Sequence, residues 1–310
     1  MNLPNLQENI PLTPYTTFRI GGPARWFVAV KTIEELVAAC KAAWNENIPL
    51  FILAGGSNQL VSDEGFSGLV VKVECRSSTI EGDVLTSEPG ASMAQLAFKT
   101  AQAGLTGFEW AVSVPGTVGG AIRGNAGAFG GEIKDTLIDA DVLLPSGEQK
   151  TFTNADFHFD YRHSIIKENG AVVLAARIGL QAGDPKQATE RVKQCVAEKA
   201  AHQPLQHRSS GCMFKNTKLA AGMTVLKDGA AIPEQFITRG ILSSGWVVEQ
   251  LGLKGLKEGD AEISEKHGNF VVNRGNAKAE DVLYLVQKVQ EEAKARFGLT
   301  IELEVQLVGF

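Results

Sequence analysis

Residues 104–131 are dense in glycine and show little periodicity, yet they carry an apolar set of their own: Val112, Val114, Val118, Ile122 and Phe129. A glycine-rich stretch of that length inside a compact domain reads as a binding loop. The apolar residues argue against a mobile connector, because they give the loop something to bury. Its small residues let a flat, extended ligand lie against backbone, with Thr117 and Asn125 able to bond a heteroaromatic edge. Any fold for this chain has to present such a loop on a rigid frame.

The flanking sequence supplies an α+β frame. Residues 26–30 read as a strand, and Thr32 with Glu35 as a capping box. The helix that follows carries Leu36, Val37, Cys40 and Ala43 at helical spacing. Residues 50–54 read as a buried strand ending in Gly55-Gly56-Ser57-Asn58, so this segment is one βαβ unit. No helix of the GxGxxG type opens behind those glycines, which removes the Rossmann pattern. A cradle of N–H groups for a pyrophosphate and a simple tight turn both suit the four residues.

Short strands are predicted at 68–73 and 84–86. A second capping box, Ser92 with Gln95, opens a helix that Gly104 ends. Strands follow at 139–144 and 172–181, then a long amphipathic helix over 186–202. Pro204 closes that helix, and 203–208 is the expected domain boundary. Near the C-terminus a helix over 279–297 places Val282, Leu285, Val286 and Val289 on one face, with Gly298 as its stop. The chain finishes in an alternation: Ile301, Leu303, Val305 and Leu307 on one face, Glu302, Glu304 and Gln306 on the other.

A net charge of −5 argues against nucleic acid or an anionic membrane as the main partner. Anionic ligands must then be held locally, by glycine-loop amides or a few placed cations. The N-terminal residues lack the pattern of a signal peptide, and no apolar run approaches a membrane span. Cys40, Cys75, Cys195 and Cys212 show neither CxxC nor metal-site spacing, so no metal is expected and a cytoplasmic location fits. No obligate protein partner is evident. Cys40 and Cys195 fall at apolar positions of helical patterns, as core residues do.

Cys212 is different. It follows Gly211 in the polar turn Ser209-Ser210-Gly211-Cys212, ahead of Met213-Phe214-Lys215-Asn216. Gly211 lets another molecule approach the backbone, and a thiol is a far stronger acid than an alcohol. A lone cysteine also serves as a small buried hydrophobe. Arg162, in Tyr161-Arg162-His163-Ser164, can be a functional cation or a surface partner of Asp160 or Glu168. Glu302 and Glu304 share one face of the terminal alternation, so spacing does not choose between them.

Six motifs occur in one order: Gly55-Gly56-Ser57-Asn58-Gln59-Leu60, Pro115-Gly116-Thr117-Val118-Gly119-Gly120, Asn125-Ala126-Gly127-Ala128, Tyr161-Arg162, Gly211 to Asn216, and Ser264-Glu265-Lys266-His267. Together they resemble the UDP-N-acetylenolpyruvoylglucosamine reductase family, in the branch without an inserted tyrosine loop. The likeness runs from Thr16-Thr17-Phe18-Arg19-Ile20-Gly21-Gly22 to Glu304.

The resemblance implies an FAD-binding fold of vanillyl-alcohol-oxidase (PCMH) type in two subdomains, 1–80 and 81–202, with the strand over 300–310 returning to the latter. A C-terminal α+β substrate domain covers 203–299. It implies noncovalent FAD, NADPH as hydride donor, and UDP-N-acetylglucosamine enolpyruvate as substrate in peptidoglycan precursor synthesis. Carried over by motif, Gly55, Gly56, Ser57, Asn58, Pro115, Gly116, Thr117, Gly119, Gly120, Asn125, Ala126, Gly127 and Arg162 contact FAD. Tyr161, Lys215, Asn216, Lys254 and His267 contact substrate. Cys212 is the proton donor in place of a serine common in relatives, and Arg162 and Glu304 stabilise the intermediate. Thr217, Ile241 and Gln306 depart from the family pattern around the substrate.

Overall fold

Thr32 accepts a hydrogen bond from the Glu35 N–H at 3.2 Å, and the Glu35 carboxylate accepts from the Thr32 N–H in return. That reciprocal cap starts helix Ile33–Asn45, which buries Leu36, Ala39, Cys40 and Ala43. In this computed structural model, which describes residues 1 and 3–310, the helix packs against Val28, Val30, Leu69, Val71 and Val73. Those residues belong to a four-stranded sheet in the order Gln7–Pro11, Pro23–Val30, Phe66–Val73, Leu50–Leu53. Leu50–Leu53 runs parallel to Phe66–Val73, with Leu50 opposite Leu69. The expected βαβ unit is therefore opened out, because Phe66–Val73 lies between its two strands.

A second sheet is antiparallel throughout, in the order Gln149–Thr153, Leu137–Leu143, Val172–Gly179, Val84–Ser87, Ser78–Glu81. Its inner residues Leu85, Ala140, Val142, Ala176 and Ile178 share a core with Met93, Leu96, Val118, Ile122 and Phe157. Helix Met93–Gln102 starts at Ser92, whose hydroxyl accepts from the Gln95 N–H at 3.4 Å. This is a simple N-cap, half of the capping box read from the sequence. Helix Pro185–His202 sets Ala188 and Val192 against Ala101.

The chain divides into two compact units, the first Met1–Ile10, Ala24–Gly55 and Ser67–Ala201, the second Pro11–Pro23, Gly56–Phe66 and His202–Phe310. The second has its own core, in which Phe18, Ile20 and Leu60 join Met213, Phe214, Val247, Val248, Val271, Val282, Leu285, Phe297 and Ile301. Helix Ala279–Glu292 continues into a π-helical turn, Ala293–Phe297, and ends at Gly298 with φ +72°. Its N-terminus is capped from a distant part of the sequence: the Asp63 carboxylate accepts from the Ala279 N–H at 2.8 Å.

The end of the chain departs from the single alternating strand. Only Gln306–Val308 is a strand, and it pairs in parallel with Gln59–Val61 rather than with any segment of 81–202. Ile301 and Val305 are buried, but Leu307 is exposed and Val308 buried. The alternation slips by one residue after Val305, where the chain bends to reach its new partner.

Candidate active site

In the first unit the two glycine regions meet backbone to backbone. A Cβ on Gly55 would stand 2.8 Å from the Gly116 Cα, so any side chain at Gly55 would separate them. The region read as a binding loop has more structure than its sequence suggested. It contains a helix, Val118–Gly124, anchored by Val118 and Ile122 in the core. Val112 and Val114 pack against the same core, whereas Phe129 is 41% exposed and adds nothing to it. A Cβ on Gly119 would meet the Pro89 Cβ at 2.9 Å, which fixes how closely this helix approaches the preceding turn.

Thr117 and Asn125 have opposite fates. Thr117 stands at the head of helix Val118–Gly124, where its hydroxyl does not cap the helix. Its Oγ1 is buried with no hydrogen-bond partner among the described residues. Asn125 is fully buried with φ +40°, and its amide is spent inside the protein. Nδ2 donates to Glu132 Oε2 at 2.7 Å and to the Asp160 carbonyl at 3.1 Å, and Oδ1 accepts from the Lys134 N–H at 3.1 Å. The expectation that the Asn125 side chain bonds a ligand edge is corrected: it ties the loop to the turn that carries Arg162. Ala126 is committed too, its N–H to the Ala121 carbonyl and its carbonyl to the Ile133 N–H.

Arg162 donates from Nη2 to the Gly127 carbonyl at 3.2 Å and lies with its Cζ 5.1 Å from the Tyr161 ring centroid. Glu168, one of its possible surface partners, instead faces His163 at 3.2 Å. Among the sequence-assigned residues, the first unit thus assembles Gly55, Pro115, Gly116, Thr117, Gly119, Gly120, Asn125, Ala126, Gly127, Tyr161 and Arg162.

The second unit holds Gly56, Ser57, Asn58, Cys212, Lys215, Asn216, Lys254, His267 and Glu304. Gly211 has φ +80° and open space where a Cβ would go, so backbone conformation rather than crowding calls for glycine there. The half-buried Cys212 begins a short extended segment clamped on both sides. On one side Cys212 bridges Phe270, and the Met213 N–H donates to the Asn269 carbonyl at 2.8 Å. On the other, Phe214 bridges Leu303, and the Glu304 N–H donates to the Met213 carbonyl at 2.8 Å. Asn58 Nδ2 donates to the Glu304 carbonyl at 3.1 Å, which adds the first glycine motif to the same cluster.

The two candidate glutamates are separated by their surroundings. Glu302 is exposed and pairs with Lys215 Nζ at 2.9 Å. Glu304 is half-buried beside the Cys212 segment. Lys254 Nζ lies 3.3 Å from Glu249, and Asn216 Oδ1 accepts from the Ser244 N–H at 3.1 Å. His267 accepts a hydrogen bond at Nδ1 from the Asn269 N–H at 3.2 Å, which leaves the proton of a neutral ring on Nε2. Burial, helped by the nearby charge of Lys254, holds this imidazole below the usual histidine range. At neutral pH it is a neutral ring with Nε2–H as its donor.

Asn269 was missed from the sequence. It is buried, accepts from the Phe214 N–H at Oδ1 and donates from Nδ2 to the Phe214 carbonyl, both at 2.8 Å. The signal was present: Asn269 and Asn273 bracket the apolar run Phe270-Val271-Val272, and a buried amide must be hydrogen-bonded.

Known proteins resemble this chain along nearly its whole length. Residues 203–308 match the family model described as UDP-N-acetylenolpyruvoylglucosamine reductase, C-terminal domain, and 24–153 match one described as FAD binding domain. A UDP-N-acetylenolpyruvoylglucosamine reductase of Lactobacillus delbrueckii subsp. bulgaricus is 37% identical over 98% of this chain and 96% of its own length. One from a Nostoc species is also 37% identical, over 96% of this chain and 85% of its own. The crystal structure of the Thermus caldophilus UDP-N-acetylenolpyruvylglucosamine reductase superposes with a TM-score of 0.79 at 33% identity, covering 98% of this chain and 99% of that one. The fold is thus the FAD-binding fold of vanillyl-alcohol-oxidase type with a C-terminal domain of the reductase. With near-complete coverage at this identity, the chain belongs to the UDP-N-acetylenolpyruvoylglucosamine reductase family.

Proposed function

We infer that this protein is an FAD-dependent oxidoreductase that reduces UDP-N-acetylglucosamine enolpyruvate to UDP-N-acetylmuramate, using NADPH, in peptidoglycan precursor synthesis. Its family membership supports the activity. The single observation that best supports the site is the clamped segment at Cys212, which carries a half-buried thiol next to the Glu304 backbone. Two apolar clusters in the first unit support a division of the FAD-binding part near residue 80, although residues 11–23 and 56–66 of the proposed 1–80 subdomain belong to the second unit and Leu143, Val172 and Leu174 of 81–202 join the first cluster. The matched model over 203–308 supports a substrate domain from 203 onward. NADPH and a nucleotide sugar are cytoplasmic metabolites, so the cytoplasm is the compartment of this reaction. Among the described residues no helix is long and apolar enough to cross a membrane.

FAD fits the residues present. The buried Thr117 hydroxyl has no hydrogen-bond partner among the described residues and can bond the cofactor, and the close Gly55–Gly116 contact holds the two glycine turns together beside it. Gly56, Ser57, Asn58, Gly119, Gly120 and Gly127 complete the proposed contacts. When bound, FAD takes a hydride from NADPH and delivers one to the terminal carbon of the enolpyruvyl group.

The chain's own residues handle charge and proton. As hydride arrives, negative charge builds on the neighbouring carbon and its carboxylate, and preorganised donors lower the barrier most where that charge develops. Arg162 provides a fixed guanidinium for the carboxylate, and Glu304 a hydrogen bond to the developing oxyanion when it carries a proton. Cys212 gives its thiol proton to the carbon, and solvent restores it. His267, as an Nε2–H donor, with Tyr161, Lys215, Asn216 and Lys254, holds the nucleotide sugar.

Anaerobic titration tests this reading. NADPH should bleach the flavin, and the enolpyruvyl substrate should restore its colour stoichiometrically. Recolouring only by oxygen or by another acceptor would mean a different oxidoreductase on the same fold. A flavin that NADPH does not bleach would mean a binding protein without turnover.

A further inference from the structure

Arg162 sits at the tip of a two-residue turn. Asp160 and His163 exchange backbone hydrogen bonds of 3.2 and 3.0 Å, which leaves Tyr161 and Arg162 as the central pair. Arg162 has φ +55°, in the left-handed region that costs a non-glycine residue about 1–2 kcal/mol. Something must hold it there. The Tyr161 N–H donates to Asp160 Oδ1 at 2.7 Å, and the buried Asn125 amide holds the Asp160 carbonyl at 3.1 Å. These contacts secure the start of the turn. The peptide that follows Arg162 is held on both sides: the His163 N–H donates to the Asp160 carbonyl at 3.0 Å, and Lys167 Nζ donates to the Arg162 carbonyl at 2.7 Å. Lys167 is half-buried on the one-turn helix Ile166–Asn169, whose Ile166 is in the core, so its stem starts from a fixed point.

We propose that Lys167 is a positioning residue for the reduction, its ammonium gripping the Arg162 carbonyl so that the left-handed turn aims the guanidinium at the substrate carboxylate. The proposal rests on the reading of Arg162 as the stabiliser of that carboxylate. A charged donor suits the task, because a charge-assisted hydrogen bond is about twice as strong as a neutral one. Without it that peptide loses the grip on its carbonyl and keeps the His163 N–H bond to the Asp160 carbonyl, so its plane tilts and the guanidinium shifts with it. A displacement of about 1 Å at a catalytic group can cost roughly 100-fold in rate.

The test compares Lys167→Met, Lys167→Gln and Lys167→Arg in the holoenzyme by stopped flow, following flavin reduction by NADPH and reoxidation by the enolpyruvyl substrate separately. Lys167→Met and Lys167→Gln should slow reoxidation by about 10- to 100-fold while reduction and the bound-flavin spectrum stay at wild type. Lys167→Arg, which keeps a charged donor, should recover most of the rate. In an Arg162→Ala background, Lys167→Met should have no further effect on reoxidation, because the two residues act as one unit. Equal slowing of both half-reactions, unchanged reoxidation, or additive losses in the double variant would each overturn the positioning role. If Arg162→Ala alone leaves reoxidation unchanged, the underlying reading of Arg162 fails instead.

Discussion

Glu302 and Glu304 lie two residues apart, and their environments differ. Glu302 is exposed and paired with Lys215, and a surface ion pair of that kind contributes about 0–1 kcal/mol. Glu304 is half-buried, with its backbone tied to Met213 and Asn58. Glu304→Gln should therefore lose most turnover while keeping rapid flavin reduction by NADPH, and Glu302→Gln should stay close to wild type in both steps. The opposite ranking, measured in the same two half-reactions, would move the role to Glu302. Asn125 makes a different kind of contribution. Asn125→Ala strands the Lys134 N–H and removes one of the two donors to the Asp160 carbonyl, which keeps the His163 N–H; a buried group left unpaired costs about 1–3 kcal/mol. A lowered thermal midpoint together with weaker FAD retention is the expected outcome. Unchanged stability would show that water replaces the amide without loss.

At the scale of elements, helix Ala279–Glu292 borrows its N-terminal cap from Asp63, 216 residues away in sequence. Asp63→Ala should destabilise the protein by about 1 kcal/mol in urea unfolding, the usual worth of such a cap. No change would mean that the Asp281 carboxylate, which accepts from the Lys278 N–H at 2.9 Å, suffices alone. The loop at Ser264–Phe270 gives a pH signature. His267 is held below its ordinary value of about 6.5, mainly by burial. The folded state therefore resists protonation that the unfolded chain accepts. The stability contributed is fully present above about pH 6.5 and is lost as pH falls through the lowered value. Unfolding free energies should decline less steeply below neutrality in His267→Gln than in wild type. Parallel slopes would mean that His267 does not carry the effect.

At the scale of the whole molecule, the sequence exposed what local physics decides. The capped helix Ile33–Asn45, the amphipathic faces of Pro185–His202 and Ala279–Glu292, and the glycine motifs each depend on residues close in the chain. Partners far apart were hidden. Nothing in the terminal alternation shows that Gln306–Val308 pairs with Gln59–Val61, or that Phe66–Val73 lies between the strands of the first βαβ unit. Such choices are settled by tertiary packing. The same limit applies to the site, where the family motifs named Asn125 but only the fold shows its amide already committed, and where Asn269 and Lys167 act through hydrogen bonds to distant or turned backbone. In the proposed reaction the last proton comes from Cys212. Stopped-flow analysis of Cys212→Ala tests it most directly. Reduction of the flavin by NADPH should be nearly normal. Reoxidation by the enolpyruvyl substrate should slow by about 10²–10⁴-fold, the usual worth of a general acid, with partial recovery in Cys212→Ser. Reoxidation of Cys212→Ala at the wild-type rate would make Cys212 a packing residue and assign the proton to another acid.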